Sequence, residues 1–264
     1  MRISTTWWPR QRRLKLGCMC NLYSHTRSVE AMRKLFAKFN DGGSNLAPQT
    51  GIFPDYEAPI IRNEADGPRL AMTRWGMPSS KKALLDAASK RAEKLRAKGN
   101  EVDFDQLLRM EPDGGTTNVR NTSSAHWKRW LGVENRCLVP FTSFSEFDWA
   151  AKQDVWFAFG EERPTAFFAG IWAPQWTSVR KIKNGEETID LYAFLTTEPN
   201  AEVGSVHPKA MPVILTTPKQ CETWMTAPWA VASYLQRPLL NGSLTIVQRG
   251  GKKDDLLIAA NEQG

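Results

Sequence analysis

The chain has 264 residues, 41% hydrophobic and 24% charged, an ordinary globular composition that excludes general disorder. Four cysteines without a CxxC pair exclude a disulfide framework, and no apolar stretch approaches the roughly 18 residues of a membrane span. The net charge is +7, but Arg2, Arg10, Arg12, Arg13 and Lys15 supply five of those charges within residues 1–18, so the basicity alone does not argue for nucleic-acid binding. The length permits one large domain or two small ones at about 150 residues each. Cysteine usage points to a reducing, cytoplasmic setting.

Residues 1–18 lack the apolar core of a secretory signal. They read as a leader outside the native protein, with the start expected at Met19. Removal of that Met would leave Cys20 as the amino terminus, with a thiol and a free α-amine on one residue. On position alone, a buried internal cysteine is the competing reading.

A helix is predicted over Val29–Phe39, with Met32, Leu35, Phe36 and Phe39 on one face. Asp41–Ser44 and Asn45–Thr50 read as loops, and Arg69–Trp75 as a strand. Residues 81–110 are rich in Ala, Lys, Arg, Glu and Leu, with Leu84, Ala88, Ala92 and Leu95 in a helical stripe; they read as a helical insertion or lid. From Arg136 the pattern turns to β: Cys137–Pro140, Val155–Phe159, Thr165–Trp172, Leu191–Leu195 and Val213–Leu215 are short apolar runs between turn residues. Thr217-Pro218-Lys219-Gln220 signals a capped helix reaching about Met225. Asn241–Gln248 reads as a last strand and the residues from Gly250 as a polar tail. The expected fold class is α+β: a single domain with a mainly antiparallel, barrel-like β core, flanking helices and a helical insertion.

Only three histidines occur, His25, His126 and His207, without zinc-ligand spacing, and GxGxxG, P-loop and GxSxG patterns are absent. Four features remain: Met19-Cys20; Asn118-Val119-Arg120, following Trp75-Gly76; Glu146-Phe147 in an aromatic strand; and His207 followed by Met211-Pro212. Taken singly, each has a plain reading: a core cysteine, a turn residue with a surface charge, a solvent-facing strand acid, and a loop histidine.

Taken in order, and with Asn45-Leu46-Ala47-Pro48, they resemble the SRAP family, the SOS response-associated peptidases, over about Met19 to Met225. The resemblance implies a domain over residues 19–240 with the insertion at 81–110 and an extension at 241–264. It also implies a sensor of abasic sites in single-stranded DNA that crosslinks through an N-terminal cysteine, here Cys20, closing a thiazolidine. The peptidase activity would be the removal of the residue before that cysteine. Cys20, Asn118, Glu146 and His207 are the catalytic candidates. Glu146 is expected to move protons, His207 to help open the sugar ring, and Asn118 to hold Cys20 or the sugar. Asn45, Trp75, Arg120, Phe147, Thr196, Thr197 and Lys209 are the DNA-binding candidates, with Trp75, Phe147 and Trp149 as stacking surfaces. No metal or cofactor is implied, no membrane is involved, and a monomer is expected. The chain departs from the family at Asn21-Leu22, where Gly-Arg is common, at Phe147, where Trp is common, and in a longer His207-to-Met211 spacing that leaves Lys209 as the nearby cation. Two other readings fit the same residues: a non-covalent single-strand-binding module with an inert Cys20, and an N-terminal-nucleophile peptidase acting in trans.

Overall fold

A computed structural model of the chain describes residues 22–43 and 45–255. The first strand, β1 (Leu22–His25), is buried along its length. After it, α1 (Val29–Arg33) is shorter than the predicted helix. Arg33 folds back instead, donating to the carbonyls of Ala37 and Phe39 and pairing with Asp41 at 2.7 Å. Asn40 then bonds through its backbone to Pro68 and Leu70. Met32, Phe36 and Phe39 still reach the core that their spacing predicts.

Next, β2 (Gln49–Ile52) pairs antiparallel with β1. β3 (Glu57–Glu64) and β4 (Gly67–Trp75) form a hairpin around Ala65-Asp66, where Gly67 adopts φ 110°. The insertion folds as α2 (Lys81–Arg96) and α3 (Phe104–Arg109), capped by the side chains of Ser80 and Asp103. Ala88 and Ala92 are buried, while Leu84 and Leu95 are only half covered. β5 (Asn118–Val119) and α4 (Ala125–Lys128) lead into the β-rich half.

That half holds β6 (Arg136–Phe141), β7 (Ser143–Asp148), β8 (Gln153–Ala158), β9 (Ala166–Val179) and β10 (Glu186–Thr197). Then come α5 (Ala201–Gly204), β11 (Met211–Pro212), β12 (Ile214–Leu215), α6 (Pro218–Thr226) and α7 (Trp229–Ala232). The predicted capping box is present: Thr217 accepts from the backbone of Gln220, and Gln220 accepts from that of Thr217. β13 (Thr245–Arg249) closes the series against β8.

Strands β10, β4, β3, β6 and β9 form a closed ring. Only the β10–β4 seam is parallel; the other four pairings are antiparallel. A second sheet runs β13-β8-β7-β1-β2. Alternate residues of the barrel strands feed two cores, which is why their sequences are apolar on both faces. Cys137, Val139, Phe168, Tyr192 and Phe194 pack with Tyr23, Phe144 and Phe157 of the second sheet. Leu138, Ile171, Leu191 and Leu195 pack with Met32, Trp224 and Met225 from the helices. Past β13, the stretch from Gly250 is no free tail. Gly250 bonds to Asp154, Gly251 accepts from the indole of Trp156, and Asp254 is only 1% exposed.

Candidate functional site

The acid and the imidazole come from different parts of the barrel-and-sheet frame. Glu146 is the fourth residue of β7, opposite Val155 of β8 and next to Ser145, which faces Leu22 of β1. Its side chain shares a sheet face with Phe144 and Tyr23, so it stands at the edge of an aromatic core. His207 lies in the excursion between β10 and β11. Asn200 caps α5 by accepting from the Val203 amide at 3.1 Å, and the His207 amide donates to the Val203 carbonyl at 2.8 Å. The chain returns as Met211 pairs with Thr197.

This turn fixes the ring. Nδ1 of His207 lies 3.1 Å from the Ala210 carbonyl and 3.7 Å from Oε2 of Glu146. Both side chains are buried. A proton on Nδ1 satisfies the carbonyl, and that tautomer leaves Nε2 as the basic nitrogen. The contact with Glu146 is longer than a good hydrogen bond and within reach of a proton relay through small movements of either side chain.

Asn118 sits in β5, parallel to Phe194 of β10. Its Nδ2 donates to Oγ1 of Thr117 at 2.9 Å, and the Thr117 carbonyl accepts from Nε1 of Trp75 at 3.1 Å. Trp75 therefore supports the segment that carries Asn118. It is fully buried, stacked on Phe194 at 5.2 Å and edge-on to Tyr23 at 5.1 Å. This corrects the expectation that Trp75 is a stacking surface: a base cannot reach an indole enclosed by the core. Gly76 beside it has φ 135° and donates from its amide to Tyr192 at 2.8 Å. A Cβ there would lie 2.7 Å from Nη2 of Arg180, so both the turn and the close approach require glycine.

Arg120 reaches across the rim. Nη1 donates to the carbonyls of Thr197 at 3.1 Å and Lys209 at 2.6 Å, while Nη2 lies 3.6 Å from Glu198. Its side chain is 41% exposed, so part of the guanidinium faces outward. Lys209 is exposed. Thr196 and Thr197 are buried, and Gln236 donates to the carbonyls of Arg120 and Thr196 at 2.8 and 3.0 Å. Gln236 is an organiser of the site that sequence reasoning missed; a lone polar residue in a loop carries no signal.

Phe147 is half-buried, edge-on to Trp149 at 4.9 Å, and Lys152 lies over the Trp149 ring at 5.2 Å. Trp149 is 44% exposed and is the accessible aromatic next to β7. Asn45 is exposed in the loop before β2. Met19 and Cys20 lie outside the described residues; Cys20 precedes Leu22 by two positions. Among the described residues, no group of three or more His, Cys, Asp or Glu is placed to hold a metal, and no helix is long and apolar enough to cross a membrane.

The class is thus an α+β domain with a closed five-strand barrel, a flanking sheet, and a buried carboxylate–imidazole pair where the two sheets meet the β10–β11 excursion. The model of one family, described as SOS response associated peptidase (SRAP), matches residues 19–247, and the chain belongs to that family. Solved structures share the fold. A protein from Bordetella bronchiseptica is 22% identical, with TM-score 0.55, 88% of this chain covered and 98% of that one. A protein from Bacteroides thetaiotaomicron is 20% identical, with TM-score 0.58 and coverage of 86% and 90%. A phage-related protein from Bordetella bronchiseptica is 18% identical, with TM-score 0.54 and coverage of 86% and 92%. No curated protein matches the chain.

Proposed function

We propose that this SRAP protein senses abasic sites in single-stranded DNA and bonds to them covalently through Cys20. The observation that carries the reading is the buried Glu146–His207 pair, 3.7 Å apart, beside the strand that begins two residues after Cys20. A carboxyl and an imidazole so placed can pass protons to and from a reacting carbonyl.

The ring-opened abasic sugar offers an aldehyde. An α-amine with a pKa of about 7.7–8.0 is partly neutral at neutral pH and adds to that carbon. The carbonyl oxygen takes up a proton. Glu146 then gives the leaving hydroxyl its second proton, water departs and an imine forms. The Cys20 thiol adds across the C=N bond, sulfur to carbon and proton to nitrogen, and a five-membered thiazolidine closes. One water is released overall and no oxidant is needed. His207 assists ring opening, and Asn118 orients the amine or the sugar. Arg120 and Lys209 meet flanking phosphates, while Phe147 and Trp149 offer a stacking edge. Asn45 lines the approach. Thr196 and Thr197 act through the backbone carbonyls that anchor Gln236 and Arg120.

The reaction needs a free amine on Cys20. The peptidase step is accordingly cleavage of the Met19–Cys20 bond, with Cys20 as nucleophile and Glu146 and His207 as its proton carriers. Residues 1–18 are a leader outside the functional domain, which begins at Met19, and the segment from 241 joins that domain through β13 and the buried Asp254. The protein acts as a cytoplasmic monomer.

The test is a denaturing gel of protein begun at Met19, mixed with a single-stranded oligonucleotide carrying one abasic site, with intact mass measured in parallel. A retarded band that disappears in Cys20→Ser, from protein lacking Met19, is the expected result. No band from protein that has lost Met19 refutes the covalent reading and favours a non-covalent binder.

A further inference from the structure

Asp254 takes no part in the proposed reaction, yet its carboxylate is buried within the second sheet. Oδ2 accepts from Oγ of Ser24 at 2.7 Å and from Oγ of Ser143. Oδ1 pairs with the equally buried guanidinium of Arg163. The Asp254 amide donates to the Thr50 carbonyl of β2 at 2.7 Å.

Ser24 and Ser143 are direct partners in the β1–β7 ladder. Successive strand residues point to opposite faces. Tyr23, Phe144 and Glu146 therefore share one face of this pair, and Ser24 and Ser143 occupy the other. Asp254 grips both strands from the back, away from the carboxylate–imidazole pair. A slip of one residue between these strands would turn every side chain of β1 to the wrong face. A charged acceptor shared by two facing hydroxyls opposes that slip, because such bonds are roughly twice as strong as neutral ones. Arg163 adopts φ 45°, a costly conformation for a residue with a side chain, and its bonds to Asp254 and Asp255 hold it there.

We propose that Asp254, steadied by Arg163, is a positioning residue for the covalent step. It holds the strand that follows Cys20 in register against the strand that bears Glu146. This deepens the crosslinking function proposed above and rests on it.

The experiment uses the protein begun at Met19 and the double variant Ser24→Ala/Ser143→Ala, which removes the strand side of the grip and leaves the Arg163–Asp254 pair. Ser24→Thr, which keeps a hydroxyl, is the conservative rescue. Three quantities are read: affinity for an undamaged single-stranded oligonucleotide, the single-turnover crosslinking rate with an abasic one, and amide hydrogen exchange in β1 and β3. The double variant is expected to keep its affinity, lose roughly tenfold in crosslinking rate, and exchange the β1 amides roughly tenfold faster while β3 stays protected. Ser24→Thr should restore most of the rate. A parental crosslinking rate in the double variant overturns the inference, as does an equal loss of protection in β3, which marks general loosening. If the parent forms no crosslink, the reading of the reaction is what fails. Exchange alone then judges the grip, and unchanged β1 protection overturns it.

Discussion

Replacing Gly76 with Ala tests how tightly the Trp75-Gly76 turn is built. At φ 135° a residue with a side chain carries strain on the order of 1–3 kcal/mol. The added Cβ would also lie 2.7 Å from Nη2 of Arg180 and 3.5 Å from Cα of Gly115. A surface arginine would swing aside at little cost, but this side chain is buried, with Nε 3.1 Å from Asp55 and Nη1 3.2 Å from the Gly76 carbonyl. Asp55 is partly open to water, which halves or better the worth of the pair, so its disruption adds about 1–3 kcal/mol. The expected loss is about 2–6 kcal/mol in urea denaturation. Gly160 has φ 84° and open space around it, so Gly160→Ala should cost only about 1–2 kcal/mol of strain. In an Arg180→Ala background the excess at Gly76 should shrink toward that value. If the two Gly→Ala variants differ by less than about 1 kcal/mol, the argument that Arg180 is pinned is wrong.

Glu146→Gln and His207→Ala should each slow crosslinking about 10²-fold or more while leaving affinity for undamaged single strands within a fewfold; parental rates in both would remove them from the mechanism. Burial lowers His25 from 6.5 to about 4, so between those pH values the unfolded chain binds a proton that the folded chain refuses. Stability should therefore fall as pH drops through that window, by up to about 3 kcal/mol, and His25→Gln should flatten the slope in denaturation curves taken across it. A slope unchanged by the substitution would assign the acid sensitivity elsewhere. Lys209→Ala should reduce the salt dependence of single-strand binding by about 0.7 in log–log slope, and Arg120→Ala by the same amount with an added loss of rate, since Arg120 also ties Thr197 to the His207 loop. Unchanged slopes in both variants would place the phosphate contacts elsewhere.

The β-rich half was the more legible part of the fold, because its apolar runs are short, bounded by turn residues and buried on both faces. β3 was missed: Pro59 interrupts its alternation, and its pairing with β4 depends on the Asp66-Gly67 turn. The helical spacing of Leu35, Phe36 and Phe39 overstates the first helix, because Arg33 has already turned the chain. At the site, the order of the motifs pairs Glu146 with His207, and the fold brings them within 3.7 Å. Trp75 defeats a sequence reading because composition cannot separate an indole that supports a loop from one that faces a ligand. Gln236 and Asp254 have no local signal, since Gln236 bonds chain 116 and 40 residues away and Asp254 grips strands 230 and 111 residues away.

The grip on β1 also has a history in time. Ser24 is made near the beginning of the described chain and Asp254 comes 230 residues later. At about 5–20 residues per second, roughly 10–50 s of synthesis separate the strand from its buried carboxylate. During that interval β1 is not yet held by the segment that grips it, and on the proposed function the loss of Met19 can come first. The order of synthesis thus places the grip on β1 last among the contacts of this strand pair. A chain shortened before Asp254 would keep its barrel strands and its acid–imidazole pair but would leave β1 unlatched from behind.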